Sequence, residues 1–382
     1  MTQPPRQSRD AARLLWTLFA VFGSQMLLLL GSSLFHFGGH PSWIFAQPTD
    51  IFFFQDAAHA WLTGGNPYLR DGFVTPPPSL LFSLPLVPFR RPLADHLFLA
   101  MNILLLAWAV RRYAAALGLK RGDRAFVLCA AAIFFSTIES VREGNLDVLM
   151  LALLILAFTA RTNGGAIALG ASIGAKAYSA LFLPVLLRLR QWRLVAVTVA
   201  TLVLLMLPFH RLWLPAYHAL QFRGGRYWGL SIAPATLVLP FMGGDARREE
   251  IATWLLVELL ATSFLIALLR DRSRRVTPQT LARYAPWMLS APSLVFSYVA
   301  VQALPVLMLL LATARRRALR RAEWCIFLGF LLLGVHVERI VCALPMAETT
   351  FRLIRDHAAM VQSLGVVLMI VGTALNPCSE DD

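Results

Sequence analysis

Long apolar runs alternate with short basic clusters along the whole chain, and this alternation restricts the possible folds more than any other feature. Apolar residues make up 58% of the 382 residues and charged residues only 15%, whereas soluble domains are nearer half apolar and a quarter charged. A membrane-spanning helix needs about 20 mostly apolar residues, and a charge at its centre costs about 3 kcal/mol. The pattern therefore predicts an all-α polytopic integral membrane protein.

The net charge of +14 could indicate a nucleic-acid-binding protein, but its distribution argues against that class. The basic residues form short clusters between apolar runs, which is typical of cytoplasmic loops that face anionic lipid headgroups. We therefore expect membrane lipids as partners, and no nucleic acid. The four main clusters lie at 111–124, 188–193, 270–275 and 315–321.

Placing every basic cluster on the cytoplasmic side predicts one membrane domain, 1–382, with about ten to twelve transmembrane helices. The expected location is the cell membrane, as a multi-pass protein. Two long segments then lie outside, a first extracytoplasmic loop at 38–95 and a second at 210–228. The acidic residues 377–382 form a cytoplasmic tail.

The first outer loop carries the most elaborate pattern. Apolar residues recur with helical spacing from Asp50 to Leu62, which predicts a helix lying in the membrane interface. Asp50 opens this helix, either as a helix N-cap or as a general base at the membrane surface, and both roles are compatible. Asp56 and His59 share a face and form either a solvated pair or part of a substrate site.

Charged and polar residues also crowd the short outer segment from Glu139 to Asp147. It contains Arg142 and Asn145, and it is interpreted either as a solvated turn or as part of a site. In the second outer loop Arg226 and Tyr227 belong to a group of arginines and aromatic residues. Interfacial aromatics are usually anchors, although arginines there can also bind phosphate.

Lys176 stands inside the apolar stretch 164–187, which is too short for two full spans. We therefore expect broken or short helices around Gly174 to Tyr178. A charged group inside the membrane faces a cavity or a partner by default, and Lys176 could hold a lipid phosphate there. The alternative is a lysine that extends to the headgroup layer.

Several patterns are missing from the sequence. It has no GxxxxGK[ST] loop for a nucleotide, no HExxH element, and no metal-ligand spacing among its four cysteines. We therefore predict neither a cofactor nor a metal site.

Taken together, these segments resemble glycosyltransferase family 87, within the GT-C superfamily. The similarity lies in short elements at Asp50, Gly65-Asn66-Pro67-Tyr68, Pro76-Pro77-Pro78, Gly144-Asn145-Leu146-Asp147, Gly170 to Pro184 around Lys176, and Ser231. A late Ser-Pro-x-Ser-Trp-x-His-like element is only partly matched, because Phe296 and Ser297 stand where the histidine is expected.

The resemblance implies a GT-C-like helical bundle that transfers a sugar, such as mannose or another hexose, from a polyprenyl-phosphate donor to a lipid- or glycan-type acceptor. It implies reaction on the extracytoplasmic face with inversion at the anomeric carbon. Asp50 then takes the position of the base, and the donor phosphate is assigned to Lys176, Arg142 and Arg226. The acceptor or substrate loop is assigned to Asp56, His59, Tyr68, Asn145, Tyr227 and Ser231.

Two other classes stay open at this point. A multi-pass transporter or lipid flippase would also have broken helices and charges inside the membrane, although transporters usually show paired halves and short loops. A non-catalytic membrane assembly subunit would leave Asp50 as a plain helix cap.

Overall fold

The computed structural model describes residues 6–35, 50–69, 73, 75–160, 162–223, 233–238, 241, 246–273, 275–290, 297–343 and 357–376. Within these residues the regular structure is helical and no strand is present, which confirms the predicted all-α class. The α-helices are α1 (Arg6–Phe35), α2 (Asp50–Leu62), α3 (Leu80–Ser83), α4 (Arg91–Ala116), α5 (Arg121–Ile133), α6 (Phe135–Arg142), α7 (Asp147–Thr159), α8 (Asn163–Ala175), α9 (Phe182–Arg188), α10 (Trp192–Met206), α11 (Trp213–Arg223), α12 (Ala246–Arg270), α13 (Pro278–Met288), α14 (Leu304–Arg316), α15 (Arg321–Gly334), α16 (Val337–Cys342) and α17 (Ala359–Leu375). Short 3-10 helices lie at Pro67–Leu69, Pro77–Ser79, Leu84–Leu86, Ala177–Leu181, Leu207–Leu212, Pro234–Leu237 and Ser297–Ala303.

Five helical segments of the described chain are long and apolar enough to cross a membrane, and a sixth is added if the bent pair α5 and α6 forms one span. The predicted ten to twelve spans exceed this number, so shorter and broken helices would have to be counted to reach it. The five are Arg9–Ser32, Arg91–Ala116, Trp192–Ala219, Arg247–Arg270 and Val299–Arg316. The third of them continues into the predicted second outer loop, whose first residues are helical.

The predicted cytoplasmic clusters meet at one end of the bundle, called the inner end below. There the Leu319 backbone N–H donates to Asp10 Oδ2 at 3.0 Å. Arg188 Nη2 donates to the Asp271 carbonyl at 3.2 Å, and the Tyr113 hydroxyl joins α4 to the Pro278 carbonyl at 2.6 Å. Chain segments far apart in sequence therefore bring their basic residues to the same end, as the predicted topology requires.

The pair α5 and α6 is bent by 63° at Phe134. The sequence predicts a single helix over 125–138, because no proline or glycine interrupts this stretch. Phe134 has an extended backbone (φ −68°, ψ 111°). Its buried ring stacks on Phe330, with 5.0 Å between centroids, and also packs against Phe22. Packing of this aromatic side chain between helices thus outweighs the local tendency to continue the helix.

The predicted break near Lys176 is confirmed. Helix α8 ends at Ala175, Lys176 is extended (φ −149°, ψ 119°), and a 3-10 helix follows from Ala177 to Leu181. The Ser172 and Ser179 hydroxyls lie 2.8 Å apart across the break. This hydrogen bond gives two polar groups buried inside the bundle a partner, so the irregular backbone is enclosed by protein.

The first outer loop has an apolar core of its own, separate from the main core of the bundle. Ile51 and Phe54 of α2 pack there with Tyr68, Leu80 of α3 and Phe98 of α4. The Gln55 side-chain amide donates to the carbonyls of Leu86 and Phe89, at 3.0 and 2.8 Å. The described part of the loop, from residue 50 onwards, is therefore a folded layer over one end of the bundle.

Candidate active site

The helix α2 begins with Asp50, which is tied to the turn between α6 and α7. Its backbone N–H donates to the Glu143 carbonyl at 3.0 Å, and its side-chain Oδ2 accepts a hydrogen bond of 2.5 Å from Asn145 Nδ2. Within the described part of the chain no residue donates to Oδ1. The two contacts fix the carboxylate while leaving one of its oxygens for a ligand.

Gly144 allows α2 to approach this turn so closely. Its φ is +67°, a conformation that L residues other than glycine rarely adopt. A Cβ built on Gly144 would lie 2.9 Å from Ile51 Cβ. The first turn of α2 and the α6–α7 turn are therefore in contact through a position that has no room for a side chain.

Two residues after Asn145, Asp147 opens α7 and is completely buried. Its Oδ2 accepts from Lys176 Nζ at 2.6 Å, and its Oδ1 accepts from the Tyr178 hydroxyl at 2.5 Å. Gln302 Nε2 donates to the Asp147 backbone carbonyl at 2.7 Å. Both oxygens of the carboxylate thus have partners, as a charge in this position needs.

The break after α8 explains how Lys176 reaches Asp147. Its extended backbone turns the chain, so that Lys176 and Tyr178 both contact the same carboxylate. Gly174 packs against the first outer loop, since a Cβ built there would lie 3.3 Å from Pro78 Cβ. The proline segment of that loop therefore covers the broken helix next to Lys176.

The environment of Asp50 changes its acidity. Burial raises the pKa of the Asp50 carboxyl above its usual value, the hydrogen bond from Asn145 and the charge of Lys176 lower it, and the charge of Asp147 adds to the rise. The net direction is upward. A carboxylate with a raised pKa is a stronger base while it is ionised, which suits proton abstraction from a hydroxyl.

The segment from Glu139 to Asp147 is not a solvated turn. Glu139, Asn145 and Asp147 are buried, and Arg142 forms an ion pair with Glu143. Arg339 of α16 donates to Glu139 Oε1 at 3.0 Å. The solvated alternative is wrong because several helices pack over this segment. Its charges therefore form ion pairs within the segment or with neighbouring helices instead of facing water.

Asp56 and His59 lie on another side of α2 from Asp50. Nine residues of α-helix separate Asp50 from His59, a rotation of about 180° at 3.6 residues per turn, and His59 is exposed. Arg91 Nη2 donates to both oxygens of Asp56, at 3.1 and 2.8 Å. The expected pairing of Asp56 with His59 is therefore replaced by an ion pair with α4.

Tyr68 is built into the core of the first outer loop. Its hydroxyl donates to the Thr75 carbonyl at 2.7 Å, and its ring packs against Phe73 with 5.1 Å between centroids. These contacts hold Tyr68 against the chain just ahead of the proline segment. Arg226, Tyr227 and Ser231, which the sequence assigns to the site, lie outside the described residues, as do residues 291–296 of the late motif.

Three residues of the site have no role in the sequence-based assignment, namely Asp147 as the partner of Lys176, Tyr178 and Gln302. One signal for Asp147 was present, because a lysine inside an apolar stretch requires a counterion. The sequence could not select Asp147 over the neighbouring carboxylates Glu139 and Glu143. Tyr178 and Gln302 are ordinary helix residues by pattern alone.

Comparison with known proteins gives a match to a sequence family. The sequence model described as glycosyltransferase family 87 matches residues 73–335, well over half of the chain. No curated protein and no solved structure matches. The matched range includes Asn145, Asp147 and Lys176 and begins after Asp50. The chain therefore belongs to glycosyltransferase family 87 and is a membrane glycosyltransferase.

Proposed function

We propose that this glycosyltransferase is of the GT-C type. It transfers a hexose, with mannose the first candidate, from a polyprenyl-phosphate donor to a lipid- or glycan-type acceptor on the extracytoplasmic face of the cell membrane. The observation that carries the proposal is the Asp50 carboxylate, which is held by Asn145 and lies in the electrostatic field of Lys176. Family membership supports sugar transfer over the transporter or flippase alternative.

In the proposed reaction the acceptor hydroxyl oxygen attacks the anomeric carbon from the side opposite to the phosphate. The new C–O bond forms as the bond to the phosphate oxygen breaks, and the configuration inverts. Asp50 Oδ1 takes the hydroxyl proton, and the polyprenyl phosphate leaves as an anion. A positioned base contributes typically about 10² to 10⁴-fold to such a step.

The charges around Asp50 limit how the donor phosphate can be held. We count five charged residues of the described site. Asp50, Asp147 and Glu143 are carboxylates, and Lys176 and Arg142 are cations. Three negative and two positive charges leave a net charge of −1. An incoming phosphate therefore needs further positive charge, which we assign to Arg226 of the second outer loop.

The depth of the site suits a lipid-linked donor. From Asp147 to Thr159, α7 advances about 18 Å, less than the roughly 30 Å of a bilayer's hydrocarbon core. The Thr159 hydroxyl accepts a hydrogen bond of 2.6 Å from Arg112 Nε, so this end of α7 lies near the inner end of the bundle. Asp147 and its neighbours would then lie below the outer headgroup layer, where a polyprenyl chain remains in the membrane while its phosphate meets the protein.

The test is sugar transfer by the purified protein in lipid nanodiscs, using polyprenyl-phosphate mannose and polyprenyl-phosphate glucose as donors. We expect Asp50→Asn to insert normally and to lose at least about a hundredfold in turnover, the low end for a lost general base. Glu250→Gln also replaces a carboxylate by an amide, at an exposed position of α12. It is the control and should keep its activity.

A correctly inserted Asp50→Asn protein with near-normal turnover would refute the role of Asp50. No transfer by the wild type from either donor would refute the donor class.

A further inference from the structure

A groove of about 530 Å³ lies at the inner end of the bundle. The turn that joins α4 to α5 forms one wall, and the last turn of α14 forms the other. The lining residues that matter here are Lys120, Gly122, Asp123, Phe126, Arg315 and Arg316.

This groove is separate from the site around Asp50. Arg91, the first residue of α4, pairs with Asp56 of α2, whereas Leu117, which follows the last residue of α4, lines the groove. Over its 26 residues α4 is about 39 Å long. The groove therefore lies at the opposite end of α4 from the site of sugar transfer, and its ligand is independent of the proposed function.

The lining of the groove is positively charged. Its three cations and one carboxylate give a net charge of +2, since Asp123 accepts from Arg315 Nε at 3.0 Å and compensates that arginine. Arg316 Nη2 donates to the Leu117 carbonyl at 3.1 Å, which holds its guanidinium at the wall. Lys120 is exposed and has no ion pair with any described residue. The groove thus offers uncompensated charge to an anion.

The same groove has an apolar side. Phe126 is 48% exposed and its ring packs edge-on against Phe19 of α1, with 5.8 Å between centroids. Phe19 lies ten residues inside the candidate span that begins at Arg9, about 15 Å along α1, so the exposed ring lies beside the apolar part of that span. A ligand in the groove can therefore contact cations with its polar end and the exposed ring with an apolar part.

We propose that this groove binds the headgroup of an anionic phospholipid. The phosphate lies against Lys120 and Arg316, and the first acyl carbons lie along Phe126. Basic residues near a membrane surface attract anionic lipid headgroups, and here the attraction is combined with a cavity of defined shape. A lipid in this position would join the α4–α5 turn to the end of α14.

Gly122 allows the shape of the groove to be tested apart from its charge. A Cβ built on Gly122 meets no atom within 4 Å, and its φ is not in the left-handed region. Gly122→Leu should therefore fold normally and fill the groove without changing the charge. Arg193→Gln is the matched control for charge, because Arg193 is an exposed basic residue near Arg188 of the inner end and does not line the groove.

The experiment titrates phosphatidylglycerol into the purified full-length protein and counts bound lipids by native mass spectrometry. Thermal unfolding is measured in phosphatidylcholine nanodiscs with and without phosphatidylglycerol. We expect one tightly bound phosphatidylglycerol in the wild type and a higher unfolding temperature in its presence. Lys120→Gln should weaken this binding about fivefold, the effect of one basic residue near an anionic headgroup. Gly122→Leu should abolish it, and Arg193→Gln should leave it unchanged.

Three results would overturn the proposal. Equal losses in Lys120→Gln and Arg193→Gln, with full binding in Gly122→Leu, would mean a diffuse attraction to the basic surface. Equal stabilisation by soluble glycerol 3-phosphate would mean that the groove binds a free phosphate compound. Equal binding of phosphatidylcholine would mean that the anionic charge has no role.

Discussion

The Nζ atom of Lys176 lies 2.6 Å from Asp147 Oδ2. Asp147 is the first residue of α7, after the α6–α7 turn, and Lys176 stands between α8 and the 3-10 helix that follows it. Both side chains are buried, with 8% of Lys176 and none of Asp147 exposed. Each residue supplies the charge that the other needs in an interior position, so the pair has to be changed together to separate its contribution to folding from its contribution to catalysis.

Asp147→Asn should destabilise the protein strongly, by about 3–5 kcal/mol, because the lysine is left without a compensating charge. The thermal unfolding temperature in detergent should fall accordingly. In the double variant Asp147→Asn/Lys176→Met the unfolding temperature should recover in large part, since no isolated charge remains. A double variant no more stable than Asp147→Asn alone would contradict the pairing.

Lys176→Met is expected to raise the KM for the donor or to lower kcat/KM, with a much smaller effect on acceptor affinity. The reason is the proposed contact of the Lys176 ammonium with the donor phosphate. Lys176→Arg should restore part of the loss if the cavity admits the larger group. The measurement is steady-state kinetics with each substrate varied in turn, and unchanged donor kinetics in Lys176→Met would end the assignment.

The pH dependence of the reaction should reflect the raised pKa of Asp50. The base must be ionised, so activity falls as the pH decreases through this pKa, and the acid limb should lie above the ordinary aspartate value of about 3.9. Lys176 lowers this pKa and Asp147 raises it. The limb should therefore move to higher pH in Lys176→Met and to lower pH in Asp147→Asn. Shifts in the same direction in both variants would argue against Asp50 as the titrating group.

Gly144→Ala should reduce turnover, because the new methyl group would collide with Ile51 and a left-handed backbone costs a non-glycine residue about 1–2 kcal/mol. The collision displaces the start of α2 and thus Asp50. Gly64→Ala is the control, since Gly64 also has a positive φ but no atom near the added Cβ. Equal losses in the two single variants would show that strain alone is responsible.

The predicted sidedness can be measured by cysteine labelling in intact cells and inverted vesicles, with the four native cysteines replaced. Asn66→Cys, in the first outer loop, should react with an impermeant reagent from outside. Arg121→Cys, in the 111–124 cluster, should react only from the cytoplasmic side. The reverse pattern would overturn the orientation and, with it, the extracytoplasmic placement of Asp50.

Residues of the candidate site could be predicted where a charged side chain stands in or directly after an apolar stretch of the sequence. Lys176 stands out because a charge inside an apolar stretch is costly, and the break beside it followed from a segment too short for two spans. Asp50 was predictable because it opens a helix after a long apolar run. In these cases the sequence signal is local, so it can be read without knowing the tertiary structure.

Contacts between distant segments were not predictable in this way. The hydrogen bond between Asn145 and Asp50 spans 95 positions, and the pair of Lys176 with Asp147 spans 29. The bend at Phe134 depends on the ring of Phe330, almost two hundred residues later. Such contacts depend on how helices are arranged around one another, and apolar periodicity gives the buried face of each helix but not its neighbour.

The distance in sequence between Asp50 and Asn145 also sets the order of events during synthesis. Ribosomes add about 5–20 residues per second, so roughly 5–20 s separate the appearance of the two residues. During this interval α2 is already made while the α6–α7 turn is missing, so Asp50 lacks the hydrogen bond from Asn145 and Ile51 lacks its contact with Gly144. The surroundings that hold the Asp50 carboxylate are therefore complete only after α7 has been made.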